Sequence, residues 1–298
     1  MIRYAGWNPE QEESHWQDFS DKCQGSVLQW SNIESRLIEE AANPMTVLID
    51  KAVQSLYTKG KSSYPEYIAD WQQTNDCGSW GTCNAVDLTQ VFLTYRYIES
   101  MVYRTFKPWV YGVAKCLAGD HADNGMSISM ALQHITTRGV LPADLPGLPK
   151  YSGTLQKQLL KNCTAFYNEW KDKAIMHDVS VVRLPMDFDA WQLWAKTGRM
   201  IVYGTTQETR KKGNFFVESG RTSHCEACGG NFDPATGSIT KVSSWPDSSG
   251  RPEGWGWITP ATTKNIIKGG ARYGAAFGIW EFTRRDTTPD FSGIGHTS

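Results

Sequence analysis

Cys77 is the residue whose type and position could do chemistry in this chain. It stands in the stretch Gln72-Gln73-Thr74-Asn75-Asp76-Cys77-Gly78-Ser79-Trp80-Gly81, just ahead of a run from Cys83 to Tyr103 without proline or glycine. Leu88, Val91, Phe92 and Tyr95 recur there at i, i+3, i+4 and i+7, which predicts a helix with one apolar stripe. Asn75 or Asp76 would cap it, so Cys77 falls in the first turn, where free N–H groups and the helix dipole favour a thiolate. A thiol nucleophile also needs a base. Of the six histidines, His15 and His296 lie near the ends, His134 falls inside a helical pattern, and His177 joins a charged helix to a strand. His121 sits in a glycine-rich loop as a second candidate. His224 opens the strand-like run His224-Cys225-Glu226-Ala227-Cys228, a good mount for a base that faces a helix N-terminus.

The elements that must position these two residues divide the chain in half. Residues 1–60 read as a mostly helical lead-in, an arm, a pro-like region or a packing cap, interrupted at Pro44 and resumed over Met45–Tyr57. Lys59-Gly60-Lys61-Ser62-Ser63 is the clearest linker. A helical lobe is expected over about 61–175. It holds the Cys77 helix, the loop Gly119–Gly125, a helix from Ser127 closed by Gly139, an irregular proline-bearing stretch to Tyr151, and a polar helix near 155–173. A sheet lobe is expected over about 176–285, within a domain spanning 61–298. Its strands are read at 179–184, 200–204 (short), 223–229, 238–245, 256–258 and 276–282, with a helix at 187–196. The fold class is therefore α+β, a helical lobe with a central cysteine-bearing helix packed on an antiparallel sheet. No internal repeat or low-complexity segment interrupts it.

Nineteen residues after His224 comes Ser243-Ser244-Trp245, and then Gly254-Trp255-Gly256-Trp257. With these motifs the chain resembles the papain-like cysteine peptidases, and among them the divergent bacteriophage and bacterial members. The resemblance covers roughly 65–285 in the family's order, and 147 residues separate Cys77 from His224, a gap that suits papain better than the smaller cell-wall peptidases. It implies a two-lobed papain-like fold with Cys77 as nucleophile and His224 as base. Ser243 would stand where an asparagine steadies the imidazole, and Gln72 or Gln73 would donate to the oxyanion. The loop and helix holding Gly125 and Met126 would form one wall of the cleft, with Trp80 and Trp245 as the accompanying aromatics. The implied substrate is a protein or peptide, cut at a peptide or isopeptide bond.

Three departures accompany the resemblance. Ser243 replaces Asn, the two glutamines stand one or two residues too close to Cys77, and the Asp76 carboxylate beside Cys77 opposes thiolate formation. They weigh toward a slow or inactive enzyme. The alternative is a structural or interaction protein on the same fold, for instance a virion component, with phage or other structural proteins bound through residues 1–60.

Other classes fit less well. Cys225 and Cys228 form C-x-x-C beside His224, but strand neighbours point to opposite faces, so no metal site is expected and no cofactor is implied. Tryptophan-rich stretches can form carbohydrate platforms, but Trp245, Trp255, Trp257 and Trp280 read as core and turn residues. A net charge of −1 offers no case for nucleic acid. No apolar run approaches a membrane span, and the N-terminus lacks a signal-peptide apolar region, which suggests a cytoplasmic or virion-associated protein. Seven cysteines, an odd number at low density, set reduced thiols as the expectation.

Overall fold

The computed structural model describes residues 6–42, 73–97, 104–246 and 252–285, with the backbone alone for 91–97. The helical continuation at Met45–Tyr57 and the Lys59–Ser63 linker lie outside the described residues. Nine α-helices are described: α1 (Glu12–Lys22), α2 (Trp30–Ala41), α3 (Cys77–Tyr97), α4 (Ala114–Leu117), α5 (Ile128–Arg138), α6 (Gly153–Lys161), α7 (Thr164–Trp170), α8 (Phe188–Lys196) and α9 (Pro260–Gly270). One sheet of seven strands takes the order β1-β2-β7-β3-β4-β5-β6. Its members are β1 (Val27–Leu28), β2 (His177–Arg183), β3 (Met200–Lys212), β4 (Phe215–Asp233), β5 (Ser238–Pro246), β6 (Pro252–Ile258) and β7 (Ala276–Arg284). Neighbours along that order pair antiparallel, apart from the parallel β1–β2 edge. Among the described residues no helix is long and apolar enough to cross a membrane.

Strand alternation divides the core in two. Along β3, Met200 and Val202 face the helical half, while Ile201 and Tyr203 face the opposite side. The helical-side cluster takes in α3, α5 and Phe19 of α1; the other holds Trp191 and Trp194 of α8, Ile266 and Ile267 of α9, and Ile33 and Leu37 of α2. Residues 6–42 thus supply core side chains to both clusters and a strand to the sheet.

The sequence places several elements well. Ser127 caps α5 by accepting the Met130 N–H at 3.1 Å, and Gly139 ends it at φ 73°. Four expectations change. The single helix near 155–173 breaks at Asn162 and Cys163 into α6 and α7, and the short strand at 200–204 extends to Lys212 as half of a long hairpin. Helix α9, with Thr259 capping and Pro260 in its first turn, was not anticipated, although that pair is a start signal. The single apolar stripe expected for α3 also needs correcting. Every residue from Cys77 to Gln90 is buried, so the helix is central and some of its polar side chains bond to neighbouring segments. Asp87, for example, takes the Thr105 N–H at 3.2 Å and its hydroxyl at 2.6 Å.

The reduced-thiol expectation holds for Cys23, Cys77, Cys83, Cys225 and Cys228. It fails for Cys116 and Cys163, which form a disulfide across 47 residues of sequence. Closing a loop of that length stabilises the fold by about 4 kcal/mol in the chain-entropy picture. Replacing Cys163 by Ser is expected to lower the unfolding free energy by about 2–4 kcal/mol in urea titrations. A wild-type curve that dithiothreitol leaves unmoved would show that the bond contributes nothing.

Candidate active site

Cys77 opens α3, and the carbonyl of Asp76 before it accepts from Ser79 N at 3.0 Å and Trp80 N at 3.1 Å. Two glycines bring the helix close to its neighbours. A Cβ on Gly78 would sit 2.5 Å from the Met126 carbonyl oxygen, and one on Gly81 would sit 2.5 Å from Cys225 Sγ. Glycine costs a helix roughly 1 kcal/mol relative to alanine, and here that cost brings β4 and the 125–126 segment up to the sulfur. Cys77 Sγ accepts two backbone hydrogen bonds, from Gly6 N at 3.1 Å and Cys225 N at 3.3 Å. The thiol is fully buried, and burial pushes its pKa far up. The two N–H donors pull it down, while the carboxylates of Asp76 and Glu226 oppose ionisation. In this arrangement burial outweighs the helix start.

The N-terminal segment lies directly on the sulfur. Gly6 O accepts from Met126 N at 2.9 Å, Asn8 N donates to Met126 O at 3.3 Å, and Trp7 pairs parallel with Met126. Gly125 and Met126 therefore do stand beside Cys77, holding a strand of the chain's own backbone. Trp7 packs where a Cβ on Gly204 would be and meets Tyr273 edge-on at 5.3 Å. Its Nε1 donates to Glu12 Oε2 at 2.9 Å. Buried Glu12 also accepts from the N–H groups of Ile128 and Ser129, both at 2.9 Å, and from the Ser129 hydroxyl at 2.7 Å. This satisfies the first turn of α5. From beneath, the buried ammonium of Lys115 holds the same wall through Asp120 (2.6 Å), Asn124 (2.8 Å) and the Gly125 carbonyl (2.5 Å).

His224 precedes the N–H that meets the sulfur. Two covalent bonds added to that contact place its Cα within about 6 Å of Sγ. The β4–β5 register puts His224, Glu226, Lys241, Ser243 and Trp245 on one face, while Cys225 and Ala227 face α3. The imidazole stacks on Trp245 at 3.9 Å, and its Nε2 lies 3.5 Å from Glu226 Oε1. Buried Lys241 pairs with the same carboxylate at 2.7 Å, and Tyr203 donates its hydroxyl to Oε2 at 3.2 Å. Burial works against ionised Glu226, but Lys241 and then His224 outweigh it and bring its pKa down to about 2. Ser243 Oγ accepts the Trp245 N–H at 3.2 Å.

The remaining expected residues are placed as follows. Gln73 is exposed and its Oε1 accepts from Gly153 N at 3.1 Å, at the start of α6; Gln72 lies outside the described residues. Trp80 is buried behind the cysteine, with Tyr151 edge-on at 5.5 Å and the Lys107 ammonium 4.3 Å from its ring centre. Cys225 and Cys228 belong to clusters on opposite sides of the sheet. No group of three or more ligating side chains suited to a metal occurs among the described residues. The sequence reading missed Glu226 and Lys241. Their signal was charge at inward positions of two strands whose neighbours are small or apolar, Cys225-Glu226-Ala227 and Thr240-Lys241-Val242.

No family model matches the sequence, and no curated protein matches it. The fold does have likenesses among solved structures. The clostridial cysteine protease Cwp84, after propeptide cleavage, gives a TM-score of 0.50 at 13% identity, over 73% of this chain and 55% of that one. This chain therefore spans little more than half of that protein's length. Xylellain, a cysteine protease from Xylella fastidiosa, gives 0.45 at 16% identity over 72% of this chain and 81% of that one. Procathepsin B S9 from Trypanosoma congolense gives 0.45 at 11% identity over 72% and 71%. Such identities speak for the fold alone, and Cwp84, at a TM-score of 0.50, carries that likeness. The fold is papain-like.

Asp76 yields a test of the site's electrostatics. Its Oδ2 accepts from Tyr151 and Gln156 at 2.9 Å and from Trp80 at 3.2 Å. Burial nevertheless raises its pKa to about 7. The folded value lies above the unfolded one, so this stabilising contribution is complete below about pH 4 and is lost as pH rises through about 7. By pH 8 the loss is on the order of 4 kcal/mol. Asp76→Asn cannot ionise, so its urea midpoints should not share this decline. Parallel wild-type and variant curves from pH 4 to 8 would show that Asp76 ionises as freely in the fold as in water.

Proposed function

We propose that this chain is a papain-like cysteine peptidase folded with its own N-terminal segment lying in the substrate groove. The observation that carries the reading is the seat of Gly6–Asn8. An extended backbone lies against Met126 and directs an N–H onto the sulfur of a helix-start cysteine. A groove that holds extended backbone by main-chain hydrogen bonds beside a nucleophile suits peptide binding.

The chemistry is acyl transfer. With the segment displaced, water and substrate reach Cys77, the cost of desolvating a thiolate falls, and the balance on the thiol moves toward the thiolate. His224 takes the thiol proton, and the thiolate attacks the carbonyl carbon of a peptide or isopeptide bond. The negative charge that develops on the carbonyl oxygen is met by the Cys77 N–H at the first turn of α3. Gln72, or Gln73 released from Gly153, supplies a second donor worth about 10²–10³ in turnover. His224 then protonates the leaving amine, and water, deprotonated by the same imidazole, releases the acyl group from sulfur.

A second reading keeps the fold as a binding scaffold without turnover. It is favoured by Gln73 facing Gly153, by the Ser243 hydroxyl engaged with Trp245 N, and by the raised thiol pKa. Gly6→Ala separates the readings, because the added methyl would meet the Asn75 carbonyl oxygen at 2.0 Å and push the segment out. Under the peptidase reading, alkylation of Cys77 by iodoacetamide at neutral pH rises at least about tenfold, one pKa unit's worth, and Cys77-dependent cleavage of a denatured protein substrate appears. Faster alkylation with no cleavage leaves the scaffold reading standing and overturns the peptidase.

A further inference from the structure

We propose that Glu226, held by Lys241, is the positioning residue for the His224 imidazole, in the place where sequence order puts Ser243. The inference rests on the peptidase reading for its catalytic meaning, but its geometry stands apart from it. The Glu226 carboxylate lies 3.5 Å from His224 Nε2, and all three side chains of the Glu226–His224–Lys241 group are almost wholly buried. A lone buried carboxylate is too costly to keep without a partner. Lys241, at 2.7 Å with no exposed side-chain surface, supplies the opposite charge, while its ammonium also donates to Thr209 at 2.6 Å and lies over the Phe216 ring. Ser243 occupies the register position opposite Glu226, and its small side chain leaves the carboxylate room to extend along the strand toward the imidazole.

The chemical consequence concerns which nitrogen holds the proton. A carboxylate at Nε2 favours the Nε2–H tautomer, leaving Nδ1 with the lone pair that can take the Cys77 proton. It also stabilises the imidazolium formed when the thiol ionises. The titratable groups packed about the pair are Lys241 from β5, Tyr203 from β3 and Cys228 from β4, with Cys225 of β4 and Cys77 of α3 on the other side of the strand. Of these Lys241 alone is a cation, and it stands against the carboxylate. Trp245 shields the other side of the imidazole by stacking.

The test reads the imidazole directly in the full chain, by nitrogen NMR of histidine-labelled protein with the resonance assigned from His224→Gln. In Glu226→Gln the His224 midpoint is expected to fall by at least one pH unit, a tenfold change in proton affinity. Ser243→Ala should leave it in place. Should Glu226→Gln unfold because Lys241 is then unpaired, the double variant Glu226→Gln/Lys241→Met removes both charges, and its midpoint should still lie below that of the wild type. A midpoint that moves with Ser243 and not with Glu226 overturns the proposal. The measurement does not depend on turnover. Cleavage is read in the Gly6→Ala background: a shifted midpoint with no cleavage there upholds the pairing and sinks the peptidase, whereas an unshifted midpoint with cleavage there does the reverse.

Discussion

The structure turns on how closely the first turn of α3 approaches β4. Backbone reaches sulfur there because Gly78 and Gly81 carry no side chain on the faces turned to Met126 and Cys225. Packing at van der Waals limits is bistable rather than yielding, so a single methyl at either position must displace β4 or the 125–126 wall. The burial of the α3 start and the backbone hydrogen bond from Cys225 to the Cys77 sulfur go with this approach.

A second constraint is electrostatic. The core around the helix start is rich in charge for its degree of burial: Asp76, Asp87, Glu12, Lys115, Glu226 and Lys241 are all buried. Each has named partners, and together they specify geometry rather than add bulk stability. Glu12 ties the lead-in to α5, Lys115 ties the wall loop to its own helix, and Asp76 ties α3 to α6 through Gln156 and to Tyr151. Hydrophobic burial sets which layers touch. These polar ties set how the layers are registered against one another.

The fold class, the helix-start cysteine and the order of its accompanying motifs were legible in the sequence, because periodicity and turn residues are local signals. Ser127 and Gly139 bounded α5 on those grounds alone. Long-range facts were not legible. The pairing of Cys116 with Cys163 depends on α4 and the α6–α7 junction meeting in space, and spacing along the chain does not report that. The sequence left the lead-in as an arm, a pro-like region or a packing cap, because a helical apolar pattern does not say what it packs against. Yet Phe19, Ile33 and Leu37 enter two different clusters, and Val27–Leu28 join the sheet edge. Glu226 was passed over because a charge in a strand reads as solvent-facing until its partner Lys241, on another strand, is seen. Helix α9 is the avoidable miss, since Thr259-Pro260 is a start signal in its own right.

The direction of the covering segment has a consequence for how the groove is opened. Gly6 offers the sulfur an amide hydrogen, a group with no electrophilic carbon, so a thiolate formed at Cys77 would meet its cover at a point it cannot attack. The cover is also tethered, through Trp7 and Glu12, to the body that it closes. A tethered ligand competes at an effective concentration that reaches the millimolar range for short connections. Free peptides at micromolar levels are therefore poor rivals for the groove. For the proposed peptidase, opening it becomes a kinetic event, governed by how often the Gly6–Asn8 segment lifts away or is cut by another molecule, and abundance of substrate alone does little to hasten it.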